Sequence, residues 1–123
     1  MPLNSHKDLL VWQKGIKLCK SVYKSTEKFP KSEVYGISSQ MRRSSVSIPS
    51  NIAEGASRNT TKDFLHFLSI SLGSASELET QIEIAKELSF LTEDQYRELT
   101  LNLTEVSKML VGLMKKLESK SSH

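Results

Sequence analysis

Lys7, Lys14, Lys17, Lys20, Lys24 and Lys28 follow one another at separations of three, four or seven residues. Wound on a helix they share about 140° of arc, and only Asp8 and Glu27 lie among them as balancing acids. A row of uncompensated ammonium groups suits phosphate tracking, which is driven by counterion release and reads the backbone rather than the bases. Arg42 stands on the next helical segment, directed away from the apolar face, and Arg58 near its end. Lys14, Lys17, Lys24, Lys28, Arg42 and Arg58 are therefore the candidate nucleic-acid-binding residues. The competing reading is a solvated helix face. Trp12 and Tyr23 fall in an apolar seam, so stacking on unpaired bases contributes little.

A second constellation is polar and sits where helices meet. In the stretch MRRSSVSIPSNIAEGASR, residues 41–58, Met41, Ser45, Ile48, Ile52 and Gly55 share one helical arc with Val34 and Ile37. Gln40, Arg43, Ser47, Asn51, Glu54 and Arg58 share the adjacent arc, whereas an ordinary surface helix keeps its charges on the far side. We read Arg43, Ser47, Asn51, Glu54 and Glu79 as a structural polar stripe. Within it, Arg43 is expected to pair with Glu79 on the third helix, and Glu54 with Arg58 at i, i+4. The alternative is that Arg43, Asn51 and Arg58 line a subunit interface or channel.

Catalytic constellations are absent. His6, His66 and His123 are scattered, the glycines are isolated, and no serine has a G-x-S-x-G context. A di-metal bundle needs Glu-x-x-His, and neither His6 nor His66 has a glutamate three residues before it. The expectation is a non-enzymatic protein with no metal and no cofactor. The single Cys19 fits a reducing cytosol. With no signal peptide and no apolar run of membrane-spanning length, the reading is cytoplasmic, with no membrane partner.

Four amphipathic segments must position these residues. Phe29-Pro30 ends the first, since the residue before proline avoids the α region, and Ser32 can cap the second. Asn59, Thr60 or Thr61 can cap the third, with Asp63 in its first turn. Thr92 and Gln95 form a capping box for the fourth. The spacing predicts helices at about 6–28, 33–57, 61–89 and 93–119. Pro49 costs about 3 kcal/mol inside a helix, yet splitting the helix there would leave Ile48 as a poor cap, so a continuous kinked helix is expected. Small residues in the second and third helices (Ser44, Ser45 and Ser47, then Ser69, Ser71, Gly73, Ser74, Ala75 and Ser76) predict close packing.

Leu9, Trp12, Ile16, Cys19 and Tyr23 make the expected core seam of the first helix, with Val11, Leu18 and Val22 as a second seam. Tyr96, Leu99, Leu103, Val106, Leu110, Leu113 and Leu117 make that of the fourth. No stretch alternates as a strand does. The fold class is all-α, an antiparallel up-down-up-down four-helix bundle. At 123 residues, the chain is read as a single domain over 1–123 with tails at 1–5 and 119–123 frayed. Leu101, Met109, Val111 and Met114 add apolar surface beyond one core, which points to a homo-oligomer. The formal charge is +6 over residues 1–58 and −3 over the remainder, a polarity that can steer an anionic partner or dock one copy on another.

Several motifs together resemble a known family. They are Leu10-Val11-Trp12-Gln13, Phe29-Pro30, Gln40-Met41-Arg42-Arg43-Ser44-Ser45, Ser47-Ile48-Pro49-Ser50-Asn51-Ile52-Ala53-Glu54-Gly55, Phe64-Leu65, and Gly73-Ser74 with Glu77 and Glu79. The chain resembles, over residues 6–118, the four-helix-bundle proteins encoded by intervening sequences of bacterial 23S ribosomal RNA genes. It is similar also to the accessory protein of diversity-generating retroelements. The resemblance implies a left-handed bundle, assembly as a ring-like homopentamer and a basic surface suited to nucleic acid. The functional expectation is low-specificity RNA or DNA binding; the alternative is a protein-interaction scaffold that assembles with a partner protein.

Overall fold

The computed structural model describes residues 5–121. A 3₁₀ turn at His6–Asp8 precedes α1 (Leu10–Thr26), and a second at Lys31–Glu33 precedes α2 (Ile37–Ala56); α3 (Thr61–Glu87) and α4 (Glu93–Ser121) complete the chain. Among the described residues there is no strand, so the all-α reading holds. Each helix runs against its neighbours. Cys19 meets Ser45 while Thr26 meets Arg42, Ser44 meets Glu77 while Ser71 meets Ile48, and Lys14 meets Glu105 while Ser21 meets Glu98. α1 thus lies between α2 and α4, and α3 closes the ring of contacts on the other side.

The caps explain most of the boundaries. Thr60 Oγ1 accepts from the Asp63 amide at 3.1 Å. Thr92 and Gln95 form the reciprocal box, each side chain accepting from the other's amide, at 3.1 and 2.9 Å. The second helix starts later than expected, at Ile37, and Ser32 does not cap it. Glu33 does so instead: its Oε1 accepts from the Ile37 amide at 3.3 Å. A side chain at Gly36 would place Cβ 2.6 Å from that same oxygen, so the Glu33 carboxylate would have to shift to make room for it. The first helix also starts later, at Leu10, which leaves Lys7 in the preceding 3₁₀ turn and off the lysine row. The third helix ends in a turn with Ser89 at φ 62°, where the Phe90 amide reaches back to the Ala85 carbonyl at 2.9 Å. Of the expected frayed tails, Ser5 caps the first 3₁₀ turn and α4 runs on to Ser121. The other tail positions, 1–4 and 122–123, lie outside the described residues.

α2 is continuous through Pro49. Proline removes one backbone donor, which leaves the carbonyl of residue i−4, Ser45, without its helical partner. The Cys19 thiol of α1 donates to that carbonyl at 2.9 Å.

The core seam of α1 is the reverse of the expected one. Val11, Gly15, Leu18 and Val22 are buried, whereas Ile16 and Tyr23 are exposed and Leu9, Trp12 and Cys19 are half-buried. Close approach decides this. A Cβ on Gly15 would lie 3.4 Å from Pro49 Cβ, so the smallest residue of α1 faces the proline of α2 and the bulkier seam turns outward. On α4 the expected core positions Leu99, Leu103, Val106 and Leu110 are buried, and Leu101 is 65% exposed.

Candidate nucleic-acid interface

α1 presents Lys14, Lys17, Lys20 and Lys24 along one wall of a 350 Å³ groove whose other wall is α4, with Glu98, Asn102 and Glu105. The register is regular. Lys14 Nζ lies 3.1 Å from Glu105 Oε1, and Ser21 Oγ donates to Glu98 Oε1 at 3.3 Å. Lys17, Lys20 and Lys24 are exposed, and no ion pair among the described residues engages them. Three neighbouring ammonium groups therefore face solvent on one helix face without an ion-pair partner among the described residues, with Glu98 lining the same groove. The six candidate cations do not form one surface. Lys14, Lys17 and Lys24 share the groove, and Lys28 lies in the turn just beyond α1.

Arg42 is engaged within the protein. Its Nε donates to Thr26 Oγ1 at 2.8 Å, its guanidinium lies 4.6 Å from the Tyr23 ring centroid, and it is half-buried. It clamps α2 to the end of α1. The sequence placed it on the outer arc of α2, but α1 packs over that arc because Gly15 and Pro49 bring the axes together. Arg58 sits near the α2–α3 connection, pairing with Glu54 at 3.5 Å as expected and covering the Phe67 ring at 4.8 Å.

The polar stripe resolves into separate contacts. Ser47 and Ser74 hydroxyls share a hydrogen bond at 2.7 Å, and Asn51 Nδ2 donates to the Ser47 carbonyl and hydroxyl at 2.9 and 3.0 Å. With Ser71 donating to the Ile48 carbonyl at 2.9 Å, these small groups allow the close α2–α3 packing the sequence predicts. The expected Arg43–Glu79 pair does not form. Both residues are exposed and they border different clefts, Arg43 with Gln40 and Glu77, Glu79 with Thr100 and Leu103 of α4. The glutamate of α3 that faces α2 is Glu77, which accepts from Ser44 Oγ at 2.6 Å.

Sequence reasoning missed two features. The acidic wall left one signal, Glu98 and Glu105 seven apart on one face of the fourth helix, but nothing local says that this face meets the lysines. A 910 Å³ cleft at the end of α1 left none: Tyr23, Phe29, Pro30 and Val34 line it together with Val46, Arg42 and Arg43 of α2. It depends on the outward seam of α1 and on the late start of α2. Two ionisations are shifted. Burial pushes the Cys19 thiol up, against a smaller downward effect of the Ser45 side-chain hydroxyl. Tyr96 is raised chiefly by donating to Glu83 at 2.5 Å.

No helix of the described residues is long and apolar enough to cross a membrane. The chain is 28% identical to a protein of unknown function from the S23 ribosomal protein family of Bacteroides thetaiotaomicron; its crystal structure superposes with a TM-score of 0.78, covering 86% of this chain and 99% of the other. No functionally curated protein matches it. Residues 7–112 match the family described as 23S rRNA-intervening sequence protein, with the motif Asn51-Ile52-Ala53-Glu54-Gly55 inside the matched span. The bundle built on those motifs and this match make the chain a member of the 23S rRNA-intervening sequence protein family.

Proposed function

We propose that the protein is a non-enzymatic, cytoplasmic nucleic-acid-binding bundle that holds RNA or DNA by its phosphate backbone with little sequence preference. The observation that carries this reading is the run of Lys17, Lys20 and Lys24, exposed and without ion-pair partners, beside Lys14 on the same groove. At about 1.5 Å per residue, Lys14 to Lys24 spans about 15 Å. A strand with one phosphate per about 3.4 Å of duplex axis offers about four phosphates over that length. Arg42 and Arg58 lie outside this groove, Arg42 against Thr26 and Tyr23 and Arg58 in an exposed pair with Glu54, so the lysine row carries the reading without them. The test is binding of labelled structured RNA and duplex DNA across a salt series. Reversing Lys17, Lys20 and Lys24 to Glu should abolish binding and leave the melting temperature nearly unchanged, since exposed charges contribute little to stability. Absence of binding by the wild type at low salt would overturn the reading.

A second observation favours self-assembly and, as an alternative role, a scaffold for a partner protein. Ile16, Tyr23, Val34 and Val46 are each between 42% and 56% exposed, and the latter three line the large cleft. Apolar surface of this kind is ordinarily covered. We propose a homo-oligomer, with five subunits following from the sequence resemblance. Light scattering at micromolar concentration tests it, and a monomeric mass would reject it. A scaffold would show no steep salt dependence toward nucleic acid.

A further inference from the structure

We infer that the acidic wall of α4 is a built-in competitor for the lysine row: Glu105 and Glu98 hold part of it closed, and an incoming polyanion must displace them. The inference rests on the nucleic-acid reading of the groove. Its basis is the register between α1 and α4. Lys14 faces Glu105 at 3.1 Å, and seven residues along each helix Ser21 faces Glu98 at 3.3 Å. Glu98 therefore stands among Lys17, Lys20 and Lys24 in the same groove, tethered to the one neutral residue of the row that it can reach. Neither acid is buried, and the Lys14 and Glu105 side chains are 34% and 49% exposed. A pair of this kind is weak and exchangeable.

The consequence is selectivity by length. A lone phosphate meets one lysine and a nearby carboxylate, so attraction and repulsion nearly offset. A strand that crosses the whole row engages several lysines in one event, and each further contact then adds as an intramolecular one. The two glutamates filter out small anions and admit extended ones.

The experiment compares wild type with the Glu98→Gln/Glu105→Gln double variant, using a labelled 20-nucleotide single-stranded RNA and, separately, inorganic tripolyphosphate. Freeing Lys14 adds one phosphate contact, so the slope of log affinity against log salt should steepen by about 0.7. RNA affinity at 0.1 M salt should rise about tenfold, and tripolyphosphate binding should become measurable. Adding Lys14→Gln to the double variant should cancel the gain in slope, which a merely structural effect of the glutamates would not do. Matching melting temperatures check that all variants fold. If wild type binds RNA and the double variant shows the same slope and affinity within twofold, the competitor role is overturned while the nucleic-acid reading stands. Binding by the double variant alone would support the competitor in its strongest form. If neither protein binds at low salt, both readings fall together.

Discussion

The Cys19 thiol lies 2.9 Å from the Ser45 carbonyl, and Ser45 is the residue whose carbonyl Pro49 leaves without a helical donor. One helix thus repairs a defect in its neighbour, which ties the register of α1 to the proline of α2. Cys19→Ala should destabilise the fold by about 1–3 kcal/mol, because an acceptor in a packed interface loses its only replacement donor. Cys19→Ser should recover part of the loss. Urea denaturation of both variants measures it, and an unchanged midpoint for the alanine variant would reject the role.

The same thiol should be unreactive. Burial raises its ionisation above the usual 9.0, so at neutral pH the native state holds the protonated form, which is not the nucleophile. Iodoacetamide at pH 8 should modify urea-unfolded protein far faster than folded protein. The linkage has a definite sign. Below pH 9.0 both states keep the proton and the contribution to stability is complete; above it the unfolded chain loses the proton first, and stability falls as pH climbs toward the raised native value.

The two adjacent arginines should behave differently. Arg42→Ala removes the 2.8 Å bond to Thr26 and the stacking on Tyr23, for an expected loss of about 1–2 kcal/mol. Arg43 is exposed with no ion pair among the described residues, so Arg43→Ala should stay within about 0.5 kcal/mol of wild type. Thermal melts in parallel decide it; equal shifts would contradict the assignment.

Gly55 and Gly73 form a second contrast. A Cβ on Gly55 would fall 2.8 Å from Phe67 Cβ and 2.9 Å from Phe64 Cδ1, where the end of α2 passes beneath the first turns of α3. Gly55→Ala should cost about 1–3 kcal/mol. At Gly73 a Cβ meets nothing within 4 Å, and Gly73→Ala should stabilise by about 0.5–1 kcal/mol through helix propensity. Chemical denaturation distinguishes the signs.

Ser89 closes α3 at φ 62°, a conformation that serine adopts at a cost. Ser89→Gly should raise stability by about 1 kcal/mol while leaving the helical circular dichroism unchanged. A lower melting temperature would show that the serine side chain matters more than the backbone there.

The helices were legible because caps and periodicity are local. Thr60, Thr92 and Gln95 act as their types and spacing predict, and the Leu99–Leu110 stripe is the core of α4. What misled was depth. On α1 the bulkier seam looked like the core, but the Gly15–Pro49 approach is a property of two helices together and is written in neither alone. The same approach turned Arg42 inward. The Arg43–Glu79 pairing failed because angular arcs do not specify the rotation of α3 against α2, which the Ser47–Ser74 and Ser44–Glu77 contacts set. The lysine row was legible residue by residue. Its acidic counterpart required knowing that α4, not α2, lies beside that face of α1.

The helices differ in length: α1 has 17 residues and α4 has 29, about 26 and 44 Å. The Lys14–Glu105 and Ser21–Glu98 register places Leu10 level with Met109. Beyond Met109, α4 runs past the start of α1, and the first 3₁₀ turn packs on α1 and α2 instead. Among the described residues the bundle there has three helices in cross-section, with Leu113, Met114 and Leu117 only half-covered. Amide protons in the last turns of α4 should therefore exchange through local opening, well before those near Leu99, which are released only when the whole fold comes apart.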